Sequence, residues 1–516
     1  MKPDIFIFYK DYKKQYILND IMAGLMVAIV ALPLSIALGL QTVPESVSTK
    51  GMQMGINTSI MAGIILAFLG GSRFQVGGST TSFVVIIYGY LLNPNIGLLG
   101  LQIATLMAGV LMLIMGITKS GKIIKYISHP MVTGFTTGIG LTLITGQIRD
   151  FFGLIHTSGS EFIPKVTSYA QNIHEFNYVT FLIGLFGLIL ILVLNKINRK
   201  IPSIIIAVIA CTAINLIIVK TAGDQGVQTI GSKYGDIKAG FYLISFEEYE
   251  NVKFASLIVP AIIIAILGSI ESLLSAKVAD GMTGTKHNPN QELLAQGVIN
   301  IAASCFGGLP ATGAIARTSA NINAGAKSSI SGFVHSIFLL IMYFTLMDVI
   351  KYIPLTVFAA ILISVSIRMC NFPLVFKILK YSYKEAIVLL ITCGLTVFKN
   401  LIWGVVGGMV AVTLINIPNY KRKLNVTQEV GDNRMLVKAS GILYVFNIEK
   451  VIQYISSTSM MSDVNKITLD LSEVKEMDAT ASERIAKCKK EYSRGSIEFE
   501  IQGLNESAYK KMNMLA

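Results

Sequence analysis

The sequence predicts a polytopic α-helical membrane protein: two sets of seven apolar segments, the second inverted relative to the first, followed by a small soluble α/β domain. Three observations carry this. Of 516 residues, 53% are hydrophobic and only 14% charged, with a mean hydropathy of +0.63, a balance found in membrane-spanning chains and not in soluble ones. Two short stretches, 74–83 (FQVGGSTTSF) and 307–323 (GGLPATGAIARTSANIN), stand at matching places in two series of apolar segments and are rich in Gly and hydroxyl residues. Beyond residue 417 the composition turns polar.

Residues 1–20 form a cytoplasmic N-terminal segment. Lys2, Lys10, Lys13 and Lys14 precede the first apolar run, and no small-residue cleavage site follows a short apolar core, so no removable signal peptide is read. The first repeat, 21–219, has apolar stretches at 21–40, 55–69, 79–92, 96–115, 131–147, 178–194 and 202–219. An extracellular-side loop, 220–256, leads to the second repeat, 257–417, with stretches at 257–278, 293–306, 314–323, 330–346, 355–367, 386–397 and 401–417. Several fall short of the ~20 residues a full crossing needs.

Loop charge tests this count. Arg73, Lys119, Lys122, Lys125, Lys196, Arg199, Lys200, Lys277, Lys286, Lys327, Arg368, Lys377, Lys380 and Lys384 fall on one side. The other side has mainly Arg149, Lys165, Lys220, Lys351 and Lys399. The bias places both termini in the cytoplasm. The net charge of +13 is therefore read as an orientation signal and not as a nucleic-acid surface. Cys211, Cys305, Cys370, Cys393 and Cys488 are scattered without CxxC or CxxH spacing, which indicates neither a disulfide frame nor a zinc site. Trp403 and the Tyr residues near segment ends read as interface anchors.

The third segment of each set is the odd one. Short, Gly/Pro-interrupted segments at matching positions point to a transport site built from broken helices. With an odd number of segments per set the halves are inverted, so the two half-helix N-termini meet near the midplane after extended lead-ins at 74–76 and 309–312. Close helix packing through small residues is the competing reading. Exposed N–H groups around 78–81 and 313–316 can bind an oxyanion without side-chain charge, and Ser79, Thr80 and Thr81 add hydroxyl donors. Arg317, one turn into its half-helix, adds a full charge to the positive end of the dipole. Its action on the anion is direct or through water; the alternative is snorkelling near the cytoplasmic face. Glu271 is a carboxylate near the middle of an apolar segment, with Ser275 four residues on and therefore on the same helix face.

The tail begins with a linker, 418–432, containing Lys421, Arg422 and Lys423, and continues as a domain, 433–516. Strands are expected at 435–437, 442–446 and 467–471, and helices at 449–454, 481–492 and 507–512. Strands alternating with helices predict a small α/β domain.

Several motifs then coincide. Residues 269–329, SIESLLSAKVADGMTGTKHNPNQELLAQGVINIAASCFGGLPATGAIARTSANINAGAKSS, resemble the SulP family of anion permeases, as do ALPLSIALGL (31–40) and GGSTTSF (77–83). LDLSEVKEMDATA (469–481) resembles a STAS domain, which those permeases carry at this position. The resemblance implies fourteen segments divided into a core and a gate, a homodimer, an anion site between the third and tenth segments, and elevator-type movement of the core. It makes Gly78, Ser79, Thr80, Thr81, Ala314, Ile315, Ala316 and Arg317 the anion-binding set. Phe83 matches the family's aromatic at the end of the third-segment motif and is either an apolar wall or ordinary packing. Leu34 and Leu38 stand where many animal members have a Gln and an aromatic, which implies a drier, smaller wall.

Glu271 resembles the acidic position used for cation coupling in bacterial members. It carries a proton, or it joins Ser275 and Gly313 in a Na⁺ site; a structural ion pair with Arg317 is the alternative. Asp280, Lys286, His287 and Glu292 are read as cytoplasmic loop and gating contacts. In kinase-responsive STAS relatives the position after Asp478 is a phosphorylatable Ser; here Ala479 stands there, then Thr480, and Ala481 replaces the usual Gly. A packing or dimer-contact role for the domain is therefore favoured over phosphoregulation at Thr480.

The expected function is secondary active transport of a small inorganic anion, sulfate or bicarbonate, by Na⁺- or H⁺-coupled symport in a bacterial-type plasma (inner) membrane. Its expected partners are the anion, lipid and a second copy, with no cofactor beyond the coupling ion and no nucleic acid. Alternatives are a C4-dicarboxylate symporter, an anion exchanger or channel of the same fold, and a membrane sensor signalling through its STAS tail. Nucleobase permeases share the inverted plan but lack a STAS tail and need no Arg317. No metal cluster, catalytic triad order or phosphate loop suggests an enzyme.

Overall fold

The computed structural model describes residues 2–8, 12–121, 128–156, 162–198, 202–235, 238–242, 253–399, 401–420, 424–431, 434–458, 465–494 and 498–503. They fall into two compact units, 1–122 with 139–369, and 123–138 with 370–516.

The first unit runs α1 (Tyr16–Thr42), α2 (Gly51–Leu69), β1 (Gly77–Gly78), α3 (Thr81–Leu92), α4 (Gly97–Ile117) and most of α5 (His129–Phe152). A short α6 (Phe162–Gln171), α7 (Tyr178–Ile197), α8 (Ser203–Ala222) and a short α9 (Ile230–Tyr234) follow. Then come α10 (Phe254–Thr283), α11 (Pro289–Cys305), β2 (Thr312–Gly313), α12 (Ile315–Asn323), α13 (Ile330–Thr345) and α14 (Leu355–Cys370). Among the described residues, seven helical stretches are long and apolar enough to cross a membrane.

α3 and α12 are not, with 12 and 9 residues. At 1.5 Å per residue they are about 18 and 14 Å long, together about 32 Å, close to the ~30 Å hydrocarbon thickness. Their lead-in strands pair antiparallel, so the two helices leave that pairing in opposite directions. Two half-crossings thus share one membrane depth.

α1 and α2 approach unusually closely because small residues line the contact. A Cβ on Gly55 would lie 2.2 Å from the Ser35 carbonyl oxygen, and one on Gly39 would lie 2.1 Å from that of Gly51. Gly51, Gly55, Ser59 and Gly63 recur every four residues and form one face of α2. The close approach brings the Ser35 and Ser59 hydroxyls within 2.8 Å of each other.

The second unit contains the start of α5, α15 (Phe372–Tyr381), α16 (Tyr383–Phe398), α17 (Leu401–Tyr420) and the tail domain. That domain is a four-stranded sheet of order β3 (Asn425–Gly431), β4 (Arg434–Leu443), β5 (Lys466–Met477) and β6 (Glu498–Gln502). β3 pairs antiparallel with β4; the other pairs are parallel. α18 (Ile448–Thr458) and α19 (Ala479–Arg494) make the crossovers that parallel strands require, and Val437, Ile448, Val451, Leu469 and Ile485 build the core.

Two expectations change here. β3 lies within the stretch expected to be linker, so the ordered domain begins earlier. The two strands expected at 435–437 and 442–446 are one strand, β4, whose pairing shifts between Lys438 and Ser440 and between Gly441 and Ile442; the irregular register accommodates the small residues between the apolar runs. The helix expected at 507–512 lies outside the described residues.

Candidate functional site: two broken helices around a buried guanidinium

Gly77 pairs with Gly313 and Gly78 with Thr312. This two-residue bridge is all the regular structure the lead-ins form, so their remaining polar groups need side-chain partners. Neighbouring helices supply them. Thr58 of α2 accepts from the Leu309 N–H at 2.7 Å. Asn300 of α11 bonds Ala311 reciprocally, donating to its carbonyl and accepting from its N–H, both at 2.9 Å. Thr312 donates to the Gly268 carbonyl of α10 at 2.9 Å. Gln75 donates to the Ser272 hydroxyl and carbonyl. From α12, Thr318 accepts from the Val76 N–H and Asn321 donates to the Phe74 carbonyl.

The helix starts themselves are left open. Thr80 and Ala314 occupy the N-cap positions of α3 and α12, and neither start has a side-chain cap. Both helices therefore keep first-turn N–H groups and the positive dipole end available to a ligand. Ile315 and Ala316 are solvent-accessible, whereas Ser79, Thr80 and Thr81 are buried. Ser79 Oγ has no hydrogen-bond partner among the described residues. Thr80 donates to Glu271 Oε2 at 3.0 Å, and Thr81 donates to the Met369 sulfur.

Arg317 lies behind this pair of amide ends, 1% exposed. Its Nη1 donates to Ser59 Oγ at 2.8 Å and the Gly77 carbonyl at 3.2 Å; its Nη2 donates to Ser35 Oγ at 3.1 Å. All three acceptors are neutral, Nε has no acceptor, and no carboxylate pairs with Arg317 among the described residues. The ion pair with Glu271 is thus not formed, and the snorkelling geometry does not occur. Gly78 leaves room for the guanidinium: a Cβ there would lie 2.0 Å from Nη1.

Other expected residues fall elsewhere. The Phe83 side chain is 2% exposed and its ring tip faces Gly268, so it packs between α3 and α10 and does not form an open wall. Leu34 and Leu38 are buried in α1. Ser275 pairs with Thr318 at 3.2 Å, and Gly313 lies against Gln75 and Ser272. Glu271, Ser275 and Gly313 therefore have separate partners. Asp280 is not in the loop but in the last turn of α10, where its carboxylate meets His287 of the following loop at 2.6 Å. Glu292 is not in that loop. It is fully buried in the first turn of α11 and accepts from the Gly71 N–H, Ser272 and Gln296. In the second unit, Asp478 caps α19 by accepting from the Ala481 N–H and also accepts from the Val445 N–H. Thr480 is buried and its hydroxyl accepts from the His129 N–H at 2.9 Å, so it is not presented for modification.

Two uncapped half-helix starts joined by their paired lead-ins, beside a buried guanidinium without a carboxylate among the described residues, form the kind of site that membrane transporters build from broken helices. Comparison with known proteins agrees. Residues 17–392 match the sulfate permease family and residues 422–516 match the STAS domain. The Bacillus subtilis (strain 168) protein YvdB, whose name assigns it provisionally to sulfate transport, is 37% identical over 402 residues, 78% of this chain and 74% of its own. The bicarbonate transporter BicA of Picosynechococcus sp. (strain ATCC 27264 / PCC 7002 / PR-6) is 26% identical over 493 residues, 90% of this chain and 84% of its own. Among solved structures, SLC26A9 superposes with a TM-score of 0.71 at 18% identity, covering 99% of this chain and 88% of that one. The transmembrane domain of a cyanobacterial BicA gives 0.64 at 23% identity, covering 78% and 98%. The chain belongs to the sulfate permease family of membrane anion transporters and carries a STAS domain.

A double-mutant cycle tests the packing of Gly78 on Arg317. Gly78→Ala alone should cost about 1–3 kcal/mol of stability from overpacking, read as a fall in unfolding temperature in detergent. In an Arg317→Ala background the same substitution should cost less, since the nearest clash is gone and only the contact with Ser59 Oγ at 2.8 Å and the strain of the positive φ remain. Equal cost in both backgrounds would mean the two residues do not touch.

Proposed function

We propose that the protein is a secondary active transporter of a small inorganic anion, sulfate or bicarbonate, working as a cation-coupled symporter in a bacterial-type plasma membrane with both termini cytoplasmic. It acts as a homodimer, and the unit holding the two half-helices moves, elevator-fashion, to expose its site alternately. The observation that carries the reading is the buried Arg317 charge without a carboxylate, next to two uncapped helix starts. A charge at membrane depth costs about 2.5–3.5 kcal/mol on the insertion scale. Three neutral oxygens orient it but do not neutralise it. An anion seated on the amide ends does both jobs at once, binding the N–H groups and lowering the cost of the guanidinium. Sulfate and bicarbonate, the substrates in the names of YvdB and BicA, both offer the oxygens such donors accept.

Coupling follows from Glu271. Its carboxylate accepts from Thr80, the N-cap residue of α3, so its charge state is felt at one of the two anion-binding helix starts. An ionised Glu271 repels the anion; a bound proton or Na⁺ removes that repulsion. Because Glu271, Ser275 and Gly313 have separate partners, proton carriage needs no rearrangement and is favoured over a Na⁺ site formed by those three.

Reconstituted protein should accumulate labelled sulfate or bicarbonate. A unit charge about 7 Å from an anion at an effective dielectric of about 20 contributes about 2 kcal/mol, so Arg317→Ala should weaken apparent affinity about 30-fold, with Arg317→Lys intermediate. Wild-type affinity in Arg317→Ala, or fumarate outcompeting both inorganic anions, would defeat the assignment.

Glu271→Gln should keep anion exchange down a gradient but lose accumulation driven by the cation gradient. Under proton coupling, wild-type uptake rises as external pH falls and is indifferent to Na⁺. A Na⁺ requirement at every pH would transfer the role to a sodium site, and unimpaired driven accumulation in Glu271→Gln would remove Glu271 from coupling.

A further inference from the structure

A polar cavity of about 570 Å³ lies in the first unit, on the side where α1 ends. The ends of α1, α3 and α5, the start of α14 and the short helices α6 and α9 surround it. Arg149, Lys165 and Lys233 line it, against the carboxylates of Glu45 and Asp150, so cations exceed anions by one. Asp150 faces Lys233 at 3.9 Å, and Arg149 donates to the Ile155 carbonyl at 3.2 Å.

Lys165 is left over. Among the described residues no carboxylate pairs with it, and its ammonium sits 5.5 Å from the centre of the Tyr88 ring. Burial lowers its pKa, which measures how poorly water solvates the charge there. A second group lining the cavity, from α5, also lacks a partner. The Gln147 side chain is 2% exposed, and its Nε2 has no acceptor among the described residues. A desolvated ammonium and a buried amide N–H lining one cavity both lack an acceptor, and a small oxyanion is the ligand that supplies one. Tyr88 lies seven residues along α3 from Thr81, about 10 Å along the helix axis, so the cavity and the central site share one helix.

We propose that this cavity is a second, outer anion site, in which Lys165 and Gln147 hold a small oxyanion about two helical turns from the broken-helix centre. It rests on the reading of the protein as an anion carrier whose α1 ends on the outer face. The site concentrates anion at the mouth, because a unit charge in a partly enclosed polar cleft raises the local counter-ion concentration.

The test is protection of Lys165 from a membrane-impermeant amine reagent, read by peptide mass spectrometry on the full chain in liposomes, with exposed Lys220 as internal control. Sulfate and bicarbonate are the probes, each compared with a bulky sulfonate at equal ionic strength. At an anion concentration about twice its dissociation constant, Lys165 labelling should slow about threefold, with Lys220 unchanged. Gln147→Leu should abolish protection while leaving labelling without anion intact. Arg317→Lys and Arg317→Ala, which act on the central site, should keep it. Lys165 labelled equally with and without either anion, or protection that vanishes in both Arg317 variants, would overturn the outer site. Failure of anion uptake with Lys165 protection intact would instead count against the transport reading.

Discussion

The arrangement depends on one guanidinium held in a neutral cage. Arg317 is buried, bonded to two serine hydroxyls and one backbone carbonyl, and without a carboxylate among the described residues. Such a charge is tolerated only where its surroundings are rigid and where some other negative group can answer it. The small-residue face of α2 supplies the rigidity, since Gly55 lets α1 come close enough for Ser35 and Ser59 to act as one acceptor pair. Gly78 supplies the space. In the proposed reading the answering charge is an anion from outside the chain, seated at the two open helix starts.

The cage and the amide ends have different tasks. The Arg317 guanidinium bonds Ser59 of α2 and Ser35 of α1, so in the proposed reading it sets a field and does not select ligand shape. The same reading gives shape selection to the N–H groups and to hydroxyls such as Ser79, whose oxygen has no partner among the described residues. A long-range field paired with short-range donors suits a carrier, which must hold its ligand firmly enough to enter and loosely enough to leave. Glu271 is tied to Thr80, the N-cap residue of α3, and the proposed coupling uses that link to change the balance.

Much of this was legible in the sequence. The broken segments at 74–83 and 307–323 announced themselves through Gly, Pro and hydroxyl content, and the structure places their helix starts within two residues of the expected positions. What could not be read were the partners. Ser35, Ser59, Asn300 and Ser272 look like ordinary small or polar residues within apolar helices, and only the fold brings them to Arg317, to the lead-in backbone at Ala311, or to the Gln75 side chain. The four-residue repeat of Gly51, Gly55, Ser59 and Gly63 was a visible signal that the odd segments overshadowed. Glu292 was assigned to a loop because its helix begins at Pro289, four residues before the apolar run that suggested its start. Phe83 was open between wall and packing, a choice that depends on Gly268 opposite it.

The central claim is that an anion sits on the amide ends of α3 and α12, with Arg317 behind it and not in front. An experimental structure of the protein with selenate, a sulfate analogue with a strong anomalous signal, tests this most directly. The account predicts one anomalous peak within hydrogen-bond reach of the backbone N–H groups at the starts of both half-helices, with Arg317 still bonded to Ser35 and Ser59. A central anion bound by side chains alone, or an Arg317 that swings out of its cage to ligate selenate, would contradict it.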